Sequence, residues 1–253
     1  MKRNAMFYPV AVIVLSLLFA AGCSDDDTRP KFGNVTDIDG NEYKTVTIGN
    51  QIWMAENLRV TKYRDGSELM SELNHAEWQS TKEGAFAIYE YTAEAAEGLD
   101  SPEEMVEAYG KLYNWYAITD ERGLCPEGWR IPLDEDWTKL VDFVVSRGHP
   151  NETPEPEGAG NALKSTRSQP KEHPRWMFHT IHAGYDNFGF AALPAGRRHA
   201  AGVYDQIGRD GLWWSATELS EERAWFRGIH FGTGDVYRTN ADKANGFSVR
   251  CIK

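Results

Sequence analysis

The clearest periodicity in the chain follows Pro132. Trp137, Leu140, Val141 and Val144 stand at i, i+3, i+4 and i+7, with Asp136, Lys139 and Asp142 between them. That pattern makes one apolar stripe on a helix and turns the charges outward. Asp134 is placed to cap its start, and Gly148 followed by Pro150 to stop it. A second start signal, Ser101-Pro102-Glu103-Glu104, puts Ser at the N-cap, Pro at N1 and Glu at N3. Met105, Ala108, Tyr109 and Leu112 share one face of the helix it opens.

Elsewhere the period is two. Residues 43–48 alternate polar and apolar, rich in β-branched side chains, between the turn dipeptides Asp39-Gly40 and Gly49-Asn50. Residues 34–58 therefore read as a small β-meander. From Leu212 onward the chain turns β again. Strands are expected over 212–216, 224–231, 236–238 and 247–252, with Gly232-Thr233-Gly234-Asp235 as a hairpin. Residues 150–160, rich in Pro, Glu and Gly, read as an exposed loop, and 161–185 as polar and irregular.

The N-terminus is of another kind. Lys2 and Arg3 precede an uncharged run to Gly22, which ends in Phe19-Ala20-Ala21-Gly22-Cys23. A charged head, an apolar run and small residues before a cysteine resemble a bacterial lipoprotein signal. Residues 1–22 are then a signal peptide, Cys23 the acylated residue, and 23–33 an acidic tether. An uncleaved anchor is the alternative, because about 18 apolar residues can just span a bilayer. The small residues at the cleavage point and Ser24-Asp25-Asp26-Asp27 favour the lipoprotein. The expected location is the bacterial cell envelope, as an outer-membrane lipoprotein held through Cys23. The acidic run also resembles a surface-export signal of lipoproteins in the Bacteroides group, and a solvated linker is an equal reading of it.

With Cys23 acylated, Cys125 and Cys251 remain, an even pair in an oxidising compartment, so a bridge from mid-domain to the last strand is expected. Without Lys2 and Arg3 the charge is −13, from 25 basic and 38 acidic side chains. An acidic chain with no basic cluster would repel a phosphate backbone, so nucleic acid is not an expected partner.

A series of blocks resembles one family. Asp39-Gly40-Asn41-Glu42-Tyr43 and Ile52-Trp53-Met54-Ala55-Glu56-Asn57-Leu58 come first. Tyr109-Gly110-Lys111-Leu112-Tyr113-Asn114-Trp115, Cys125-Pro126-Glu127-Gly128-Trp129-Arg130-Ile131-Pro132 and Gly189-Phe190-Ala191-Ala192-Leu193-Pro194 follow in order. Trp213-Trp214-Ser215-Ala216-Thr217-Glu218 and Asn245-Gly246-Phe247-Ser248-Val249-Arg250-Cys251 close the series. Together they resemble the Fibrobacter succinogenes major paralogous domain over 34–253. The resemblance implies an α+β fold of C-type lectin-like type with an N-terminal β-meander, on an exported lipoprotein, and makes Leu112-Tyr113-Asn114-Trp115 a strand after a short helix. It implies no established biochemical role. Leu133 stands where the family usually has Ser or Thr, which leaves Asp134 to cap alone. The segment 63–100 lacks the extra cysteine pair of many relatives and has Trp78, Phe86, Ile88 and Tyr89 to hold it.

Catalytic constellations are not evident: there is no phosphate loop, His-Glu-x-x-His helix or Gly-x-Ser-x-Gly elbow. Sulfatase-activating oxidases share the lectin-like architecture but use free cysteines, and here the pair reads as structural. His179 and His182 stand three apart with no third ligand at a recognisable spacing, so no metal and no cofactor is expected. The calcium triplets of true sugar-binding lectins are also missing. The remaining candidates are Trp214, Glu218, Asn240, Asp242 and Asn245, on the loops 217–223 and 239–245. Oxygen side chains beside an aromatic face suit sugar hydroxyls; the competing reading is turn chemistry. The expected function is a binding module for glycan or a surface glycoprotein, not an enzyme. A structural subunit of a surface complex is the alternative.

Overall fold

A computed structural model of the chain describes residues 29–90, 99–168 and 173–253. The expected signal peptide, Cys23 and the first part of the tether lie outside the described residues. Strands β1 (Lys31–Thr36), β2 (Glu42–Ile48) and β3 (Gln51–Met54) form the antiparallel meander. Its turns need left-handed residues and have them in Gly40 (φ 84°) and Gly49 (φ 59°). At the first turn Asp37 accepts from the amides of Asp39 and Asn41 and from the Tyr43 hydroxyl. Those bonds make the acidic loop a self-capped turn.

Short elements follow: α1 (His75–Ser80), β4 (Phe86–Ala87), α2 (Pro102–Tyr109), β5 (Leu112–Tyr113) and α3 (Trp115–Thr119). After them come α4 (Asp134–Ser146), α5 (Ala159–Leu163) and the hairpin β6 (Ala195–Arg198)–β7 (Tyr204–Ile207). Strands β8 (Asp210–Glu218), β9 (Arg223–His230) and β10 (Tyr237–Asp242) form a second antiparallel sheet, in the order β10-β9-β8. The fold is mixed α+β. Ser101 caps α2 by accepting from Glu104 N–H, as its sequence signal predicts.

Helix α4 buries the predicted stripe of Trp137, Leu140, Val141 and Val144. Two expectations about it fail. Asp136 does not face solvent: it is 6% exposed and ion-paired with Arg130. Asp134 is not the cap, because Leu133 occupies that position and its N–H donates to Asp136 Oδ2 at 2.7 Å. Leucine has no side-chain acceptor, so only the returning half of a capping box exists. Asp134 instead bridges Arg227 and Arg238 of the second sheet, at 2.9 and 2.8 Å.

The expected strand over 247–252 is not a regular strand. Its partners change from residue to residue: Phe247 bridges Tyr113, Ser248 bridges Trp213, and Ile252 bridges both Trp53 and Arg130. A segment whose neighbours alternate cannot build one ladder. It threads the centre of the domain instead, with Leu58 N–H donating to Val249 O and Met54 N–H to Cys251 O. Cys251 is disulfide-bonded to Cys125. The bridge sits in an apolar cluster with Trp214, Phe226 and Phe247. A second cluster contains Trp53, Trp137, Phe190 and Trp213, with the first two rings 4.7 Å apart.

Candidate functional site

The loops 217–223 and 239–245 do meet, and they spend their side chains on each other. Arg223 donates to Asn240 Oδ1 at 2.5 Å and to Asn240 O at 3.0 Å. The Lys243 ammonium, nearly fully buried, binds the Glu218 carboxylate and the Glu221 carbonyl and lies 4.4 Å from the Trp115 ring. Asp242 accepts from Ala244 N–H, and Asn245 donates to Asp242 O and accepts from Ala200 N–H. Trp214 is 1% exposed, its indole N–H donating to Tyr113 O and its ring 4.4 Å from Phe247. It therefore presents no face to a ligand. Among the described residues no group of three His, Cys, Asp or Glu could hold a metal ion.

A cleft of about 640 Å³ lies elsewhere, lined by residues after β3, by α2, by 165–167 with His173 and Pro174, and by residues of the segment 186–193. Its floor is a buried polar network centred on Asn57. Asn57 Oδ1 accepts from Trp213 Nε1 at 2.9 Å and Arg250 Nε at 3.0 Å. Asn57 Nδ2 donates to Tyr109 O and Ser248 Oγ. The amide's acceptor and donor sides are thus both used, which a buried amide requires. Arg250 is fully buried, and burial pulls its guanidinium down to about 9, still charged at neutral pH. Its remaining donors reach the carbonyls of Phe190 and Ala191, and its plane covers the Phe190 ring.

Those two carbonyls belong to a strained turn. Asp186 (φ 47°) and Ala191 (φ 49°) are both left-handed without being glycine. Such conformations cost about 1–3 kcal/mol each and persist where surrounding contacts impose them. Here the contacts are the Arg250 fork and the bond from Ala191 N–H to Asp186 Oδ1 at 2.7 Å. Gly189, between them, sits under Phe32: a Cβ there would come within 2.7 Å of the ring. Phe32 is itself 64% exposed at the rim.

Three groups in the wall carry chemistry. Burial raises the Asp186 carboxyl to about 6, with the Arg250 charge acting against the shift. Ser165 is 6% exposed, and its hydroxyl has no hydrogen-bond partner among the described residues. Tyr109 accepts from Arg175 N–H, and its hydroxyl shares a 2.6 Å hydrogen bond with His173 Nδ1. Arg59 at the rim lies 3.8 Å from the Glu56 carboxylate and 3.5 Å from that of Glu107.

None of these groups was singled out in the sequence, because Asn57, Ser165, Asp186 and Arg250 are far apart in it. One signal was available. Asn57, Tyr109, Gly189–Ala191, Trp213 and Arg250 all fall within the blocks that carry the family resemblance. No curated protein and no solved structure matches the chain. The family model of the Fibrobacter succinogenes major domain matches residues 46–253, so the chain belongs to that family.

Proposed function

We propose that the domain is a binding module whose cleft takes a saccharide. The observation that carries this reading is the unpartnered, buried Ser165 hydroxyl in a cleft also lined by Asp186 and by the exposed Phe32 ring. A buried polar group without a partner costs about 1–3 kcal/mol, which a ligand hydroxyl would offset. Carboxylates pair with sugar hydroxyls, and an exposed ring stacks on the apolar face of a pyranose. A glycan array of the soluble domain tests the proposal. Reproducible hits that fall about tenfold or more in affinity in Phe32→Ala support it. A silent array, or hits unaffected by that change, count against it.

A structural or assembly subunit is the second reading. Met177, Phe178, Ile181 and Tyr185 are all at least 37% exposed within nine residues, and clustered exposed apolar side chains mark contact surfaces. The architecture is further read as C-type lectin-like, supported by the meander hydrogen-bonded to the last residues through Ile52 N–H and Lys253 O. An experimental structure that superposes on no lectin-like domain refutes that assignment. For location, the proposal keeps an outer-membrane lipoprotein anchored at Cys23, supported by the lipobox-like Ala20-Ala21-Gly22-Cys23. Cys23→Ala is expected to abolish fatty-acid labelling and release the protein; undiminished labelling would exclude that anchor.

A further inference from the structure

A second pocket, independent of the cleft, has a buried cation for a floor. Arg198 is 3% exposed at the end of β6, and burial pulls its guanidinium below the usual arginine range. Two backbone carbonyls fix it: Nε donates to Gly202 O at 3.1 Å and Nη2 to Leu73 O at 2.6 Å. Aromatic rings bracket it, with Trp78 at 4.3 Å and Tyr204 at 5.2 Å from its central carbon. Among the described residues Nη1 makes no hydrogen bond or ion pair, and no described carboxylate lies within ion-pair distance of the side chain.

Burying a charge without a counter-ion is costly, and arginine cannot relieve the cost by losing its proton at neutral pH. Two other buried cations are better served. Lys164 has three acceptors and Arg250 spends all three guanidinium nitrogens on oxygen atoms. Arg198, by contrast, fronts an open pocket with a nitrogen unused. That pocket encloses about 650 Å³, and Asn74, His75, Glu90 and Tyr204 stand around it. Among the described residues Glu90 is its one carboxylate, and it makes no ion pair with Arg198.

The geometry points to a binding site for a carboxylated sugar, a hexuronate, whose carboxylate meets the open edge of the Arg198 guanidinium. A planar fork held by its neighbours is preorganised for a carboxylate. The volume suits one or two sugar rings. The walls supply hydrogen-bonding side chains and one phenol, with Leu73 and Ala76 beside them for the apolar face of a sugar ring.

The test is ¹H–¹⁵N NMR on the folded domain, reading the Arg198 Nε–H and the indole N–H of Trp78, which has no partner of its own. Glucuronate is expected to shift both signals saturably, while glucose leaves them in place. Arg198→Lys keeps the charge but loses the fork, and is expected to weaken glucuronate binding about tenfold or more. Absence of a glucuronate shift in the wild type overturns the proposal even if the lysine variant does not fold. So does an equal response to glucose, or a folded lysine variant that binds unchanged. Equal affinity for N-acetylglycine overturns the sugar assignment. The cleft's Ser165 and Asp186 amides, read in the same spectra, separate this pocket from the cleft.

Discussion

Asp186 sets how the cleft responds to pH. Its carboxyl is raised from 3.8 to about 6 by burial, so the folded chain keeps a proton that the unfolded chain has already lost. Between those values the native state binds more protons, and stability falls as pH rises through the window before levelling above it. A rise of two pK units corresponds to about 3 kcal/mol as an upper bound. Asp186→Asn tolerates the left-handed backbone and is expected to gain about 1–3 kcal/mol at neutral pH. Burial raises Asp210 to about 6 as well, so the variant should flatten the slope between pH 4 and 6 without abolishing it. Urea denaturation across that range checks this; an unchanged slope would mean that Asp186 ionises normally. Neither the strain nor the burial of Asp186 was legible in Tyr185-Asp186-Asn187, which reads as ordinary loop chemistry.

The elements divide by how local their causes are. Helix α4 was legible because its stripe repeats within thirteen residues, and α2 because Ser101 and Pro102 announce it. The cap of α4 was not, since Arg227 and Arg238 draw Asp134 away from nearly a hundred residues downstream. The pair β6–β7 was missed altogether, being four residues a side with little alternation. The last segment looked like a strand because Phe247, Val249 and Cys251 alternate, as they would on any extended chain. Its burial on every side and its changing partners are tertiary facts. The disulfide holds that segment to the loop ahead of α4. Closing a loop of 126 residues is worth about 4–5 kcal/mol in the chain-entropy model. The double change Cys125→Ala, Cys251→Ala should lower unfolding free energy by about 2–5 kcal/mol while far-ultraviolet circular dichroism stays native. A loss below about 1 kcal/mol would show that the surrounding core fixes the segment unaided.

At the scale of the molecule, family blocks spread over two hundred residues converge on one polar floor. Asn57 from the meander, Tyr109 from α2, Trp213 from β8 and Arg250 near the C-terminus meet there. Convergence of that kind has no local pattern, which is why the sequence directed attention to 217–223 and 239–245, where oxygen side chains crowd visibly. The structure joins those loops through Lys243–Glu218 and Arg223–Asn240 and leaves the open volume on another surface. Chemical-shift mapping of the soluble domain with its strongest glycan-array hit decides between the two places. Saturable shifts confined to the amides of Phe32, Ser165, Asp186 and Ala191 are the predicted result. Shifts centred instead on Glu218, Asn240, Asp242 and Asn245, with the cleft silent, would contradict it.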